Sequence, residues 1–303
     1  MLKNPPQQKT SRQLPARKES IVKAGKYRLD LGGRTHIMGV LNVTPDSFSD
    51  GGAFFDKEAA VNRGLEMARD GADIIDIGGE STRPGASEID AAEEIDRVLS
   101  VITELSKKLR VPISVDTRKS KVAEEALKAG ASIVNDVSGL SHDPAMGDVA
   151  AKHGAGLILM HMKGTPETMQ RDPRYGDLVG EIIESLRLSI KKAQGAGVAE
   201  DGIIIDPGIG FGKTVEHNLE ILRRLDELDV LGRPVCVGTS RKSFIGKVLG
   251  QDDPSARLAG TLATCTVAIM KGARLLRVHD VREAVQAARI TDSILRERAL
   301  YNY

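Results

Sequence analysis

The sequence predicts an α/β protein folded as a (β/α)8 TIM barrel in a single domain, and three observations support this. Eight short runs rich in β-branched residues, each ending near a polar residue, alternate with amphipathic helical stretches. Each crossover is long enough for parallel pairing of the strands. Four Gly-Ala pairs stand between a helical stretch and the next strand, where C-cap glycines are expected. The alternative, a doubly wound open sheet, lacks its glycine fingerprint.

The eight predicted strands span residues 36–43, 74–78, 113–116, 132–137, 156–162, 203–206, 235–239 and 275–278. The helical patterns between them include residues 57–69, 90–109, 120–129, 178–194, 215–228 and 256–270. The Gly-Ala pairs lie at residues 71–72, 130–131, 154–155 and 272–273.

The amino-terminal part is predicted to lie outside the barrel pattern. Residues 1–20 are polar, contain Pro and Gln, and have no apolar core of a secretory signal, so we predict a disordered tail. A transit peptide is the alternative. Residues 21–303 form the predicted barrel domain, and residues 27–34 alternate before Gly32-Gly33, which predicts a short β-hairpin turning there.

Composition excludes several classes of function. The net charge of +1 gives no electrostatic basis for binding nucleic acid or an anionic membrane, and no apolar run is long enough to span a bilayer. Cys236 and Cys265 lie in apolar runs and are predicted to be buried, reduced thiols. This cysteine usage suits a reducing compartment, so the predicted location is cytoplasmic.

The stretch 203–213 shows the pattern most clearly, because an apolar strand ends at Asp206 and a glycine-rich loop follows. It is not a P-loop, since Pro207 stands at the first glycine of that motif, and Lys213 occupies the third glycine of the dinucleotide fingerprint. We therefore interpret it as a carboxylate at a strand end, above a loop with exposed N–H groups. Taken alone, Asp206 could also be a helix N-cap.

Polar residues follow every predicted strand, at the end of the barrel where such enzymes place their chemistry. They are Asn42, Asp76 with Glu80, Asp116, Asn135 with Asp136, His161, Asp206, Ser240-Arg241-Lys242, and Arg277 with His279. Any single one could be a turn residue, but the recurrence at all eight ends favours a site.

The polar set divides into two kinds of chemistry. Asp116, Asn135 and Asp206 suit a flat heterocycle with an N–H edge, because a carboxylate accepts two parallel N–H bonds. Lys242, Arg277 and His279 suit a phosphate; the last two are two residues apart and face the same way. No His/Cys cluster has zinc spacing. Mg²⁺, held partly by substrate phosphates, is the metal that this oxygen-rich set would accept.

Two long polar loops, residues 42–52 and 78–85, follow the first two barrel strands. They could be ordinary surface loops, but at the functional face of a barrel we interpret them as lids that close over substrate.

The motifs resemble those of the dihydropteroate synthase family. The resemblance covers about residues 35–290 and rests on the sequences MGVLNVTPDSFSDG at 38–51, DIGGESTRPG at 76–85, SVDT at 114–117, ND at 135–136, LMHM at 159–162, DPG at 206–208, GFGK at 210–213, SRKS at 240–243 and RVHD at 277–280.

This resemblance implies a (β/α)8 barrel that joins p-aminobenzoate to 6-hydroxymethyl-7,8-dihydropterin diphosphate, with Mg²⁺ as cofactor and pyrophosphate as leaving group. It implies three groups of binding residues beside a catalytic set of Asp116, Asp206, Lys242, Arg277 and His279. The pterin would contact Asp116, Asn135, Met160, Asp206 and Lys242, and the diphosphate would contact Asn42, Arg277 and His279. The pocket for p-aminobenzoate would consist of Phe48, Thr82, Arg83, Pro84, Phe211 and Ser243. The metal would be held by Asn42 and Asp50.

The resemblance also implies an SN1-like substitution, inhibition by sulfonamides, and a homodimer. Three alternatives stay open at this point. They are a pterin-binding methyltransferase on the same barrel, a barrel that binds pterin without catalysis, and a sugar-phosphate enzyme. The diphosphate-binding pairs argue against the first, the intact loops against the second, and the two carboxylates for a flat ring against the third.

Overall fold

The computed structural model describes residues 20–44, 52–82 and 85–295, and within them a closed barrel of eight parallel strands. Around the barrel the strand order is β10-β3-β4-β5-β6-β7-β8-β9. The predicted TIM barrel and the small amino-terminal hairpin are confirmed. Residues 1–19 of the predicted tail lie outside the described residues.

The strands are β1 (Ile21–Ala24), β2 (Tyr27–Asp30), β3 (His36–Asn42), β4 (Ile74–Gly78), β5 (Ile113–Asp116), β6 (Ile133–Asp136), β7 (Gly156–Met160), β8 (Ile203–Asp206), β9 (Val235–Val237) and β10 (Ala273–Val278). The α-helices are α1 (Gly52–Arg69), α2 (Ala91–Lys108), α3 (Ser120–Lys128), α4 (Met146–Lys152), α5 (Leu178–Gly195), α6 (Val215–Arg223), α7 (Ser243–Leu249), α8 (Leu258–Met270) and α9 (Val281–Leu295).

Helix α2 illustrates how the sequence specifies the outer layer. Asp90 caps its amino end by accepting a bond of 2.8 Å from the Glu93 N–H. Acidic residues in the first turn and lysines in the last complement the helix dipole. One face is fully buried against the sheet, because apolar residues recur at helical spacing: Val98, Val101, Ile102 and Leu105.

The glycines of the Gly-Ala pairs act as predicted at the ends of α1, α3, α4 and α8. Gly71, Gly130, Gly154 and Gly272 all have positive φ, between 58° and 116°. Glycine adopts this backbone conformation without the steric cost that a Cβ brings.

One predicted helix is shorter than its pattern suggests. The expected helix at residues 215–228 ends at Arg223, and residues Leu225–Leu231 form a 3-10 helix instead. Leu225 and Leu228 are nevertheless buried, so the apolar spacing continues through a change in helix type that periodicity does not reveal.

The predicted turn of the hairpin was wrong. Strands β1 and β2 pair antiparallel around Gly25 and Lys26, where Gly25 has φ 55° and its N–H bonds to Gly154 O at 2.8 Å. Gly32 and Gly33 instead donate to the Asp30 carboxylate and lead the chain from β2 towards β3. Gly25-Lys26 and Gly32-Gly33 both mark turns, but the local sequence did not show which of them joins the two strands of the hairpin.

The hairpin packs against the amino-terminal end of the barrel. Its buried side chains belong to one cluster with apolar residues of the barrel interior: Val22, Ala24, Leu29 and Leu31 with Met38, Ile74, Ile133, Ile158, Ile204, Cys236 and Leu275. This cluster forms the floor of the barrel. Among the described residues, no helix is both long and apolar enough to cross a membrane.

Candidate active site

Strand alternation sets which side chains face the barrel interior. Residues two apart along a strand point the same way, so the residues two positions after the apolar floor form the next layer towards the carboxyl ends of the strands. That layer contains the polar residues Asp76, Asn135, Asp206 and Arg277 together with Val40, Met160 and Gly238, while Ile75, Val134, Leu159, Ile205 and Leu276 face the helices.

Arg277 connects Asp76 of this layer to Asp116, a buried carboxylate at the end of β5. Its Nε donates to Asp76 Oδ2 at 2.7 Å, and its Nη2 donates to Asp116 Oδ2 at 2.6 Å. Asp76 Oδ2 also accepts from Asn135 Nδ2 at 3.2 Å. Burial lowers the pKa of the Arg277 guanidinium, but the negative charges of Asp76 and Asp116 raise it by more, so Arg277 stays charged.

Asp116 is buried, and only one of its two carboxylate oxygens has a hydrogen-bond partner among the described residues. Its second oxygen, Oδ1, has no hydrogen-bond partner within the described part of the chain. Burial raises the pKa of Asp116 to about 7; Arg277 opposes this rise, whereas Asp76 adds to it. A buried carboxylate with an open acceptor is ready to receive N–H groups from a ligand.

Asp206 and Lys242 form the opposite side of the same interior. Burial raises the pKa of Asp206, while the positive charges of Lys242 and Arg277 oppose that rise. Burial lowers the pKa of Lys242 to about 8, against the effect of Asp206. The ammonium donates to Ile209 O and lies 4.6 Å from the ring centroid of Phe211. The structure therefore brings Asp116, Asp206, Lys242 and Arg277 to one mouth, as the sequence predicts.

His279 and Asn42 lie at the ends of β10 and β3, which pair in the barrel. The His279 N–H donates to Ser240 Oγ at 3.1 Å, and its Nδ1 lies 3.0 Å from the same oxygen. Arg63 of α1 donates from Nη2 to His279 O at 3.3 Å. Ser240 and Arg63 thus fix the position of His279, a role the sequence analysis did not assign to either residue.

The structure describes half of the predicted p-aminobenzoate set. Phe211 packs in a small cluster with Val137, Met160 and Met169, so the predicted lining residues of the two substrates are neighbours. Thr82 is half-buried after β4, and Ser243 is the first residue of α7. The other predicted residues, Phe48, Arg83 and Pro84, lie outside the described residues, as does Asp50.

Three polar residues named at strand ends have structural partners elsewhere. Glu80 pairs with Arg118 at 2.5 Å and with Lys119, which also binds Glu94. The Asp136 carboxylate accepts from the N–H groups of the loop that follows it, at residues 138 and 140. Arg241 forms an ion pair with Asp280. These charges are paired with residues outside the group formed by Asp116, Asp206, Lys242 and Arg277.

His161, another strand-end residue, pairs with a buried lysine. Lys213 Nζ lies 2.9 Å from His161 Nδ1 and also donates to Phe211 O at 2.9 Å. Burial and the neighbouring Lys213 lower the pKa of His161 to about 3, so its ring is neutral. Lys213, to which the sequence analysis assigned no role, ties the end of β7 to the loop after β8.

The glycine-rich loop after β8 differs from its prediction in one respect. Two of its N–H groups are bonded within the protein, because Gly208 donates to Asp206 Oδ1 at 2.7 Å and Gly210 to Asn218 Oδ1 at 2.7 Å. Asp206 is not a helix cap either, since Thr214 caps α6. Instead, the loop holds one oxygen of Asp206 in place.

Gly208 offers a direct test of this loop. Its φ is +70°, and a Cβ there would overlap the carbonyl oxygen of His161. We expect Gly208→Ala to lower both thermal stability and activity strongly, because the loop must move and take Asp206 with it. Gly232→Ala is the matched control, since Gly232 has φ +62° with nothing near its Cβ position. Gly232→Ala should lower the free energy of unfolding only by the cost of the backbone strain, about 1–2 kcal/mol. Equal melting temperatures for the two variants would contradict this role for Gly208.

Among the described residues, no group of three or more His, Cys, Asp or Glu side chains is arranged so that it could hold a metal ion. Asn42 supplies a half-buried amide oxygen at the mouth. Such a set fits a Mg²⁺ ion that takes most of its oxygen ligands from a substrate diphosphate, and it does not fit a protein-held zinc site.

Comparison with known proteins agrees with this geometry. Residues 38–279 match the family of pterin-binding enzymes. The chain is therefore a pterin-binding enzyme of the (β/α)8 class, in which the polar mouth is the candidate pterin site.

Comparison with individual relatives identifies the family within this class of pterin-binding enzymes. The chain is 49% identical to the dihydropteroate synthase of Synechocystis over 272 residues, which are 90% of this chain and 94% of that protein. The enzyme from Clostridium difficile, solved in the presence of pteroic acid, has 49% identity and a TM-score of 0.83, and the match covers 90% of this chain and 99% of that one. The Xanthomonas albilineans enzyme with 4-aminobenzoic acid has 42% identity and a TM-score of 0.86, with 91% and 98% covered. The chain belongs to the dihydropteroate synthase family.

Proposed function

We propose that this protein condenses 6-hydroxymethyl-7,8-dihydropterin diphosphate with p-aminobenzoate, releasing pyrophosphate and giving 7,8-dihydropteroate. One observation carries the proposal. Two buried carboxylates, Asp116 and Asp206, and two cationic side chains, Lys242 and Arg277, share a single barrel mouth. The two carboxylates can accept hydrogen bonds from the N–H edge of the pterin ring, and the cationic side chains can bind the negatively charged diphosphate.

The pterin binds in the polar layer above the apolar floor. Asp116 and Asp206 accept its N–H groups, the Asn135 amide adds a donor and an acceptor, and Met160 lines the slot. The unpartnered Asp116 Oδ1 supports this placement, because a buried acceptor without a partner costs free energy until a ligand satisfies it.

Arg277 and His279 bind the diphosphate, and Asn42 and Asp50 would hold a Mg²⁺ ion there. Such an ion would supply positive charge to offset the charge that develops on the departing oxygen. Arg277 contributes in the same direction, since its guanidinium remains charged while two carboxylates surround it. Fixed charges in a site with little water stabilise the transition state without reorganising.

The reaction is an SN1-like substitution. The bond between the pterin methylene and the diphosphate oxygen breaks, and both bonding electrons leave with pyrophosphate. The carboxylates of Asp116 and Asp206 stabilise the positive charge left on the ring and methylene. The p-aminobenzoate nitrogen then attacks with its lone pair and loses a proton, without a covalent enzyme intermediate.

The second substrate lies over Phe211, next to Thr82 and Ser243, and we also assign its binding to Phe48, Arg83 and Pro84. The small buried cluster that Phe211 shares with Met160 supports this, because it brings an aromatic ring close to the pterin slot. Sulfonamides resemble p-aminobenzoate in shape and charge, so they compete for the same pocket.

The direct test is incubation with the pterin diphosphate, Mg²⁺ and p-aminobenzoate, with detection of dihydropteroate by chromatography. Product that requires the diphosphate and the metal supports the proposal. Release of pyrophosphate in the absence of p-aminobenzoate supports the SN1-like path, whereas no release until the second substrate binds indicates a concerted one. Absence of product under all conditions would refute the proposed activity.

Binding of the pterin should depend on pH through Asp116. With a pKa of about 7, Asp116 is mostly protonated at pH 6 and mostly ionised at pH 8. Only the ionised form accepts two N–H bonds, so affinity for 6-hydroxymethylpterin should be about tenfold weaker at pH 6 than at pH 8. Calorimetric titration of wild type and Asp116→Asn separates this from ionisation of the ligand. The same slope in both proteins would contradict the assignment.

We also propose a homodimer in the cytoplasm. Helices α8 and α9 carry exposed apolar side chains that an interface would cover: Val267, Met270, Ile290 and Ile294, which are 42–68% exposed. The two cysteines are free and buried, which suits a reducing compartment. Light scattering that gives twice the chain mass of 32.5 kDa would support the dimer, and a monomeric mass would refute it.

A further inference from the structure

Arg257 is a nearly buried arginine to which the proposed mechanism gives no task. It ends the short 3-10 helix Pro254–Arg257 and is only 8% exposed. Its guanidinium donates from Nη1 to Arg241 O at 2.9 Å, from Nε to Gln251 O at 3.1 Å, and from Nη2 to Asp252 O. All three acceptors are backbone carbonyl oxygens, so this side chain holds main chain in three places.

The three carbonyl groups lie on either side of helix α7. Arg241 comes just before the helix, whereas Gln251 and Asp252 come just after it. A Cβ at Gly246, within α7, would overlap both the Gln251 carbonyl oxygen and the Arg257 guanidinium. The guanidinium therefore packs directly against α7 and connects the turn before this helix to the loop after it.

The turn before α7 has a backbone conformation that needs support from its surroundings. Arg241 has φ 59°, in the left-handed region that residues other than glycine adopt only at a cost in free energy. Its N–H donates to Thr261 Oγ1 at 3.1 Å, and its Nε donates to Asp280 Oδ2 at 3.0 Å. Its carbonyl oxygen is the one that accepts from Arg257. Such a conformation persists only where the surrounding contacts define it, so the bond from Arg257 helps to keep the turn in place.

This turn determines where two proposed substrate-binding residues lie. Lys242, assigned to the pterin, follows Arg241 directly, and its N–H donates to Thr239 O at 3.2 Å across the turn. Ser243, assigned to p-aminobenzoate, is the next residue and the first of α7. The Lys242 side chain has little room, because a Cβ at Gly210 would lie 3.0 Å from its Cδ. A shift of the turn would therefore change the path of this side chain into the mouth.

Apolar packing keeps α7 on the barrel but does not fix its ends. Phe244 and Ile245 are each 3% exposed and belong to the main hydrophobic cluster. Hydrophobic burial is non-directional, whereas a hydrogen bond weakens steeply when its geometry departs from the ideal. Without the Arg257 guanidinium we therefore expect α7 to stay folded and attached while the turn before it shifts.

We infer that Arg257 is a positioning residue that sets the places of Lys242 and Ser243 by holding both ends of α7. This role rests on the proposed function, since it requires the pterin and p-aminobenzoate to bind at those residues. It also separates two halves of the site. The diphosphate residues Arg277 and His279 are carried by β10 and the residues after it, so they should not depend on Arg257.

Arg257→Lys is the first test, because lysine keeps the positive charge but cannot reach three carbonyl groups in three directions. We expect kcat/KM for p-aminobenzoate to fall by about ten- to a hundredfold, since a misplacement of about 1 Å can cost that much. Calorimetric binding of 6-hydroxymethylpterin should weaken by about tenfold, the effect of weakening one hydrogen bond to a charged group. Pyrophosphate with Mg²⁺ should bind within about twofold of its wild-type affinity, as expected for a site that does not share these contacts.

Gly246→Ala disturbs the same contact from the other side. The added methyl group displaces the guanidinium and the Gln251 carbonyl group, while Arg257 itself stays intact. Alanine favours a helix more than glycine does, so the helix propensity of α7 rises in this variant. We nevertheless expect the same pattern, with weaker binding of the pterin and p-aminobenzoate and unchanged binding of pyrophosphate.

Arg233→Lys is the matched control. The Arg233 side chain is 15% exposed and pairs with Glu200 at 2.6 Å, just before β9 at the amino-terminal end of the barrel. This variant also removes guanidinium contacts of a mostly buried arginine. It should leave the binding of all three ligands unchanged.

Several outcomes would overturn the inference. A merely structural role for Arg257 would lower the melting temperature of Arg257→Lys and leave the three ligands bound as in the wild type. An equal loss of pyrophosphate binding would show a general disturbance of the mouth. Failure of Arg257→Lys to fold would show that the apolar side chains of α7 do not hold it alone, and wild-type binding in a folded Gly246→Ala protein would count equally against the role. If the wild type binds none of the three ligands, the proposed function itself fails.

Discussion

Asp206→Ala should reduce kcat/KM by about two to nearly four orders of magnitude. Asp206 is buried beside Lys242, and the charges of Lys242 and Arg277 both act on it. Removing one partner of a buried charge pair typically costs about 3–5 kcal/mol, because the other charge is left without compensation. About 1.4 kcal/mol corresponds to a factor of ten in rate. Steady-state kinetics with both substrates varied would measure the loss.

Two further variants make the Asp206 result specific. Asp206→Asn keeps an oxygen for the Gly208 N–H, which donates to Oδ1 at 2.7 Å, but removes the charge. It should therefore fold like the wild type and still lose most activity. Asp226→Asn, at an exposed ion pair, should change kcat/KM very little. Wild-type-like kinetics in Asp206→Ala would remove Asp206 from the pterin site.

Arg277→Met should be the second severe variant, and for a different reason. It leaves the buried carboxylates of Asp76 and Asp116 without the cation that both contact. We expect a further rise in the pKa of Asp116, weaker pterin binding at neutral pH, and loss of diphosphate binding. A fall in kcat/KM of at least about a thousandfold is expected, since an uncompensated buried charge and lost transition-state stabilisation add together.

Arg277→Lys distinguishes charge from geometry. It restores a positive charge, but one ammonium group cannot reproduce the two separate bonds to Asp76 Oδ2 and Asp116 Oδ2. Activity should recover only in part, with the larger defect in KM for the pterin diphosphate. Arg282→Met serves as the control, because Arg282 is 72% exposed. Full activity in Arg277→Lys would show that charge alone is sufficient.

The sequence could predict the barrel and much of its mouth because both depend on local periodicity. Short apolar runs that alternate with helices form parallel strands, whose carboxyl ends meet at the same end of the barrel, so the polar residues that follow them had to converge. Asp116, Asn135, Asp206 and Arg277 follow from that rule alone. Their roles in binding remain predictions that the proposed variants would test.

Sequence reasoning did less well where a partner is distant along the chain. Asp76 and Arg277 form a bond across 201 positions, and nothing near either residue announces it. Glu80 and Arg241 looked like site residues for the same reason, because only the folded chain reveals their ion partners. Lys213 received no role from the sequence, whereas in the structure it contacts His161 at the end of β7 and donates to Phe211 O in its own loop.

Within the described part of the chain, the hairpin closes the amino-terminal end of the barrel. Val22 and Leu31 pack with the apolar residues of the interior, so we expect substrates to enter at the opposite end, where the polar mouth lies. We expect the order of addition to follow from depth, with the pterin entering first and p-aminobenzoate arriving above it. A bound inhibitor in the upper pocket should then slow escape of a pterin beneath it.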